Sequence, residues 1–231
     1  MTLPKLETPT YEITIPSTKE EILFRPFLVK EEKILLMAQE SKDQREILRA
    51  LKEIVRSCTF DKVNPDDLTS YDLEYIFLKL RGKSVGEIVQ LDIKCAQCEA
   101  INPLDISLEE VQIKYPEKAI DPTIQLSDTV GIVARPVPMK DVSSLKDSND
   151  ITELIALCID SIFDGNKIFK RTDITNKELM EFVESLSRQH VQQIEAFIMN
   201  QPRLEHSVSY TCHSCGKTTT MVLSGLQDFF K

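Results

Sequence analysis

Leu91-Asp92-Ile93-Lys94-Cys95-Ala96-Gln97-Cys98 and Val208-Ser209-Tyr210-Thr211-Cys212-His213-Ser214-Cys215 carry one pattern twice: a short β-type run that ends in Cys-x-x-Cys. Apolar positions return beyond each second cysteine, at Leu104 and Ile106 and at Met221 and Leu223. Alternation on both sides of a turn predicts strand, turn, strand. Two thiols on such a turn can face one ion, which makes each stretch a zinc knuckle. Gly216 follows the second pair, where a tight turn favours positive φ, whereas the first pair has Glu99 there.

One knuckle supplies two ligands, and a closed zinc site takes four at about 2.3 Å. Pairing the knuckles therefore gives a structural site of Cys95, Cys98, Cys212 and Cys215, with one zinc ion per chain. The pairs lie far apart in the chain, whereas compact ribbons space theirs by about 15 to 20 residues. Iron accepts the same four thiolates, and metal-free hairpins also remain open. A thioredoxin-like dithiol needs its Cys-x-x-Cys at a helix N-terminus, where the dipole lowers the thiol pKa; these pairs lie between strands.

Working outward, the repetition extends beyond the knuckles. Ile22-Leu23-Phe24-Arg25-Pro26 and Ile132-Val133-Ala134-Arg135-Pro136 are β-type runs ending in Arg-Pro, with Lys30-Glu31 and Lys140-Asp141 following. Proline disfavours helix at the residue before it, so a strand hands over to a helical segment. Amphipathic helices then follow: Ile47, Leu48, Leu51, Ile54, Val55 and Cys58 in the first copy, Leu154, Ile155, Leu157, Cys158, Ile159 and Ile162 in the second. They run into Phe60-Asp61 and Phe163-Asp164, and Cys58 and Cys158 read as small buried hydrophobes. A further helix opens at Thr175 with Glu178, a capping-box pattern, and at Thr69 with Asp72, a weaker relative of it. Its apolar stripe is Leu73, Ile76, Phe77 and Leu80 against Leu179, Phe182, Val183 and Leu186, extended through Val85/Val191 and Ile88/Ile194. Length differences between the copies are expected in loops, such as 163–174 and 200–205.

The expected fold is α+β and internally duplicated. Each copy holds a short β segment, two or three helices and a knuckle hairpin, the two related by a pseudo-twofold. The first copy spans 1–111, a Lys-, Glu-, Asp- and Pro-bearing linker spans 112–124, and the second copy spans 125–231.

Composition narrows the function. A net charge of −9 repels phosphate backbones, and the absence of Trp with 6% aromatics leaves few stacking platforms, so nucleic acid is disfavoured. A zinc-ribbon nucleic-acid or transcription factor is the alternative class; near the knuckles it would have Lys94 and Lys217 but also Asp92, Glu99 and Asp105. The chain shows no long apolar run and no basic, apolar leader, which points to the cytosol and away from a membrane. His190, His206 and His213 read as surface or rim residues. No phosphate-cradling, nucleophile-elbow or zinc-protease motif occurs, and a zinc closed by four thiolates is not catalytic, so the expectation is a non-enzymatic protein with no small-molecule substrate.

Longer blocks carry a resemblance. Leu3-Pro4-Lys5-Leu6-Glu7-Thr8-Pro9-Thr10-Tyr11, Phe24-Arg25-Pro26-Phe27-Leu28-Val29-Lys30-Glu31-Glu32, Leu80-Arg81-Gly82-Lys83-Ser84-Val85-Gly86-Glu87 and Leu223-Ser224-Gly225-Leu226-Gln227-Asp228-Phe229-Phe230 resemble the baseplate hub assembly proteins of T-even-type contractile-tailed bacteriophages. The Arg-Pro-Phe-Leu-Val-Lys-Glu-Glu block is the most specific, because no secondary-structure period dictates it. The resemblance implies a virion-assembly role in the host cytoplasm, as a hub component retained in the baseplate or as an assembly chaperone. Its partners would be other hub proteins, and it implies no catalytic residues.

Overall fold

A computed structural model describes residues 6–117, 121–143 and 151–229. Leu3, Pro4, Lys5 and Phe230 of the blocks above, and residues 118–120 of the expected linker, lie outside the described residues. In chain order the elements are strands β1 (Tyr11–Thr14) and β2 (Glu21–Phe24), helices α1 (Val29–Ser41), α2 (Gln44–Cys58) and α3 (Ser70–Val85), and strands β3 (Ile88–Lys94), β4 (Ile101–Ser107) and β5 (Gln112–Lys114). Next come β6 (Thr123–Gln125), β7 (Val130–Ala134), α4 (Met139–Val142), α5 (Ile151–Cys158), β8 (Ile159–Asp164), β9 (Lys167–Lys170), a 3-10 turn (Arg171–Asp173), α6 (Asn176–Glu184) and α7 (Arg188–Met199). β10 (Arg203–Thr211), β11 (Thr218–Ser224) and α8 (Leu226–Phe229) close the chain.

Two compact units form, one from residues 1–114 and 203–231, the other from 115–202. This division differs from the expected 1–111 and 125–231 copies: the second knuckle hairpin, β10–β11, packs with the first unit. The stretch 112–124 is not a bare connector, because β5 pairs with β10 (Leu204 opposite Ile113) and Thr123–Ile124 begin β6.

In the first unit α3 is apolar almost all round, with Leu73, Ile76, Phe77, Leu78 and Leu80 buried, so it packs on several sides, against α2, β5 and β10. Its start is fixed by a complete capping box, even though Asp72 stands where Glu is usual: Asp72 N–H donates to Thr69 Oγ1 at 3.3 Å and Thr69 N–H to Asp72 Oδ2 at 3.2 Å. The buried Asp72 also accepts the Ser17 N–H at 2.9 Å, tying the β1–β2 turn to the helix.

The second unit is an antiparallel sheet in the order β6-β7-β8-β9, covered by α5, α6 and α7 around Ile132, Ile155, Ile159, Leu179, Ile194 and Phe197. Here the helix expected to run to Ile162 stops at Cys158, and Ile159–Asp164 becomes β8, paired with β7. Ile159, Ile162 and Phe163 are β-branched or aromatic and fit a half-buried strand as well as a helix face. Phe163-Asp164 is thus extended, while Phe60-Asp61 is a left-handed turn with φ of 57° at both residues. The expected loop 163–174 carries the β8–β9 hairpin. The Ile88/Ile194 correspondence also fails, since Ile88 is an exposed residue at the start of β3 and Ile194 lies buried in α7. Ser187 caps a separate helix there, its Oγ accepting the His190 N–H at 3.3 Å.

Both units begin with a hairpin, β1–β2 and β6–β7, ending at an Arg-Pro. Arg25 N–H donates to the Cys58 carbonyl at 3.0 Å, and Arg135 N–H to the Cys158 carbonyl at 2.7 Å, each cysteine being the last residue of a helix. The guanidiniums then reach the acid six residues on, Arg25 to Glu31 at 2.8 Å and Arg135 to Asp141 at 2.6 Å. Among the described residues no helix is long and apolar enough to cross a membrane.

Candidate metal centre

Two antiparallel hairpins hold the four cysteines. In β3–β4, Leu91 faces Leu104 and Ile93 faces Asn102; in β10–β11, Val208 faces Met221 and Tyr210 faces Thr219. Hydroxyl pairs lace the second hairpin, Ser209 to Thr220 at 2.7 Å and Thr211 to Thr218 at 3.0 Å. The turns are built alike. Cys95 N–H donates to the Ala100 carbonyl and Glu99 N–H to the Cys95 carbonyl; Cys212 N–H donates to the Lys217 carbonyl and Gly216 N–H to the Cys212 carbonyl, all at 2.9 Å. Both turns need a left-handed residue after the second cysteine: Gly216 has φ of 71°, and Glu99 takes φ of 61° despite its Cβ.

The hairpins meet crosswise. Cys95 Sγ lies 3.9 Å from Cys215 Sγ, and Cys98 Sγ lies 3.6 Å from Cys212 Sγ. All four sulfurs fall within 4.8 Å of one another. A tetrahedron with metal–sulfur bonds of about 2.3 Å has edges of about 3.8 Å, so the four thiols fit a single ion. Cys95 and Cys212 are buried against Tyr210, with Ile93, Leu104 and Met221 alongside; Cys98 and Cys215 are exposed.

The environment favours thiolates at the buried pair. Backbone N–H groups of Cys215 and Ser214 directed at Cys212 hold its thiol down at about 6, and those of Cys98 and Gln97 lower that of Cys95. Cys58 and Cys158 go the other way: burial pushes them up to about 11 and about 12, as befits packing residues.

Asn102 is the residue that sequence reasoning missed. Buried on β4, it donates to the Ala100 carbonyl at 3.0 Å and approaches Cys212 Sγ at 3.7 Å. Its Oδ1 accepts the His213 N–H at 3.0 Å and lies 2.9 Å from His213 Nδ1, so one amide ties the two knuckles together. His213 is therefore engaged at the site while staying outside the four-cysteine cluster. His206 lies within β10. Charge at the rim is mixed, with Lys94 paired to Glu99 at 3.1 Å.

Residues 8–231 match the family model described as T4 bacteriophage base plate protein. The chain belongs to that family. It is 25% identical over 221 residues to the baseplate hub assembly protein gp26 of Enterobacteria phage T4, a match covering 96% of this chain and 98% of that protein. No solved structure matches it. Membership of the baseplate family supports a structural or assembly role in the phage baseplate, which agrees with the resemblance read in the Arg25–Glu32 block.

Proposed function

We propose that this baseplate-family chain is a non-enzymatic hub assembly or structural protein that works by binding other hub proteins, in the host cytoplasm during assembly. The observation that carries this is the nearly end-to-end match to a protein named for hub assembly. The net charge of −9 and the ion-paired rim of the knuckles favour protein partners over nucleic acid.

One structural zinc ion, held by Cys95, Cys98, Cys212 and Cys215, staples the two hairpins. A closed four-thiolate zinc supplies folding energy and leaves no open position for catalysis. The recurrent hairpin, Arg-Pro clamp, capped helix and knuckle support an internal duplication, and the crosswise sulfur pairing supports a local pseudo-twofold between the knuckles. In this reading the second knuckle has been exchanged onto the first unit.

The test is to disrupt the gene in its phage and examine lysates by electron microscopy. The expected result is intact heads and wedge subassemblies, with hubs and complete tails missing. Normal tails would sink the reading, and tight, salt-sensitive DNA binding by the purified chain would favour the nucleic-acid alternative.

A further inference from the structure

We propose that the outer edge of β9 is a strand acceptor for an extended segment of a partner protein in which two adjacent apolar residues lie between two acidic ones. This rests on the reading that the chain acts by binding proteins, and adds where one contact lies and by what chemistry it forms.

Among the described residues β9 ends the β6-β7-β8-β9 sheet and pairs only with β8. All four of its residues are exposed, including Ile168 at 66% and Phe169 at 46%. The connection to β8 is the two-residue turn Gly165-Asn166, flanked by Asp164 opposite Lys167. In such a hairpin the flanking pair is hydrogen-bonded, so the main-chain N–H and C=O of the next residue, Ile168, face away from β8. An edge with free backbone groups and apolar side chains is a template for another strand.

Charge selects the occupant. Lys167, Lys170 and Arg171 place three cations in five residues of a chain that is −9 overall. Lys167 and Lys170 form no ion pair among the described residues, even though Asp164 sits across from Lys167. Side chains alternate along a strand, so Ile168 and Lys170 share one face and Lys167 and Phe169 the other. Each face thus offers one apolar group and one cation, and an incoming strand with two adjacent apolar residues between two acidic ones answers both, an acid opposite each lysine and an apolar side chain opposite Ile168 and Phe169. A second copy of β9 is a poor fit, because either strand would bring Lys167, Lys170 and Arg171 into the same short ladder. Phosphate binding would use the cations but neither the backbone edge nor Ile168 and Phe169.

The experiment titrates the full chain with the fluorescein-labelled hexapeptide Ser-Glu-Val-Val-Glu-Ser. The expected result is saturable binding that slows hydrogen exchange at the Ile168 amide. Replacing both lysines (Lys167→Glu with Lys170→Glu) should weaken it about tenfold or more and make the same peptide with lysine in place of both glutamates the better ligand. Ile168→Pro removes only an outward N–H, so it should leave the melting temperature nearly unchanged and weaken binding about fivefold. If the proline variant does not fold, the charge swap decides. Absence of saturable binding, equal binding by the lysine-reversed chain, or undiminished binding by a folded proline variant overturns the proposal. So does displacement of the peptide by a single-stranded DNA oligonucleotide, which would mark the lysines as a plain anion site. Any of these results with hub assembly still lost on gene disruption would remove the β9 edge and leave the assembly role standing.

Discussion

Arg25 Nη2 lies 2.8 Å from Glu31 Oε1, with only 11% and 3% of the two side chains exposed. Burial alone would raise the Glu31 pKa. The Arg25 guanidinium, the Leu28 N–H and the Ser57 hydroxyl outweigh it and bring the carboxyl from 4.5 to about 2. A carboxyl depressed in the folded state contributes stability that is present above its unfolded pKa and is lost as pH falls through the folded one. The pair should therefore contribute about 3 kcal/mol at neutral pH, fading between about pH 5 and 2. Melting curves of wild type and Glu31→Gln should converge over that window; a constant gap would refute the assignment.

The twin pair should behave more mildly. Arg135 and Asp141 are 2.6 Å apart but are 27% and 25% exposed, so water shares the load, and Arg135 Nε has no hydrogen-bond partner among the described residues. Asp141→Asn should cost about 1 kcal/mol, where Glu31→Gln, which leaves a buried guanidinium uncompensated, should cost about 3. Urea denaturation of the two variants, followed by circular dichroism, orders them. Equal costs would mean that the two clamps do equal work despite their different burial.

Gly131 is required by close approach and not by its φ. A Cβ there would meet Phe163 Cζ at 2.2 Å and the Ile124 carbonyl oxygen at 2.9 Å, because the ring lies across β7. Gly131→Ala should destabilise the second unit by about 1–3 kcal/mol. Adding Phe163→Leu should recover part of that loss, a non-additivity that a double-mutant cycle detects. Recovery stays partial because the carbonyl cannot move away.

The four-cysteine cluster and the caps were legible because each is built from local signals. Cys-x-x-Cys between β-type runs specifies both thiols and their turn, and Thr69/Asp72 and Thr175/Glu178 mark helix starts by side-chain chemistry alone. What was not legible depends on distant partners. Ile159 and Ile162 suit a helix stripe or a strand equally, and only pairing with β7 decides between them. Asn102 is an ordinary strand residue until His213, 111 positions on, arrives beside it. The return of β10 to pair with β5 is likewise a contact between residues far apart in the chain, with no local trace.

The two knuckle turns make opposite demands on one substitution. Gly216→Ala places a Cβ in a left-handed conformation and should cost about 1 kcal/mol. Glu99→Gly relieves the same strain in the first turn, at the loss of the Lys94 ion pair and some unfolded-state stiffness, and should be neutral or stabilising by up to about 1 kcal/mol. With metal present the melting temperature should fall for Gly216→Ala and hold or rise for Glu99→Gly. A destabilising Glu99→Gly would show that the ion pair matters more than the backbone.

Metal analysis of the purified chain tests the centre itself. The four sulfurs lie within 4.8 Å of one another and match one tetrahedral ion, so the expected content is about one zinc per chain. A metal bound only by the folded state adds its binding energy to stability, and a chelator should lower the melting temperature. Cys95→Ser and Cys212→Ser should be equally harmful, since each removes the buried thiol of its turn. Cys58→Ala should cost only about 1 kcal/mol of packing. Alkylation separates the two classes of cysteine: at mildly alkaline pH, iodoacetamide should label Cys95, Cys98, Cys212 and Cys215 only after chelation. Cys58 and Cys158, sealed from solvent in the core, should stay unlabelled until the chain unfolds. Two zinc ions per chain, or none with all four thiols freely labelled in the folded protein, would end the shared-site reading. Iron in place of zinc would keep the ligands and change the metal.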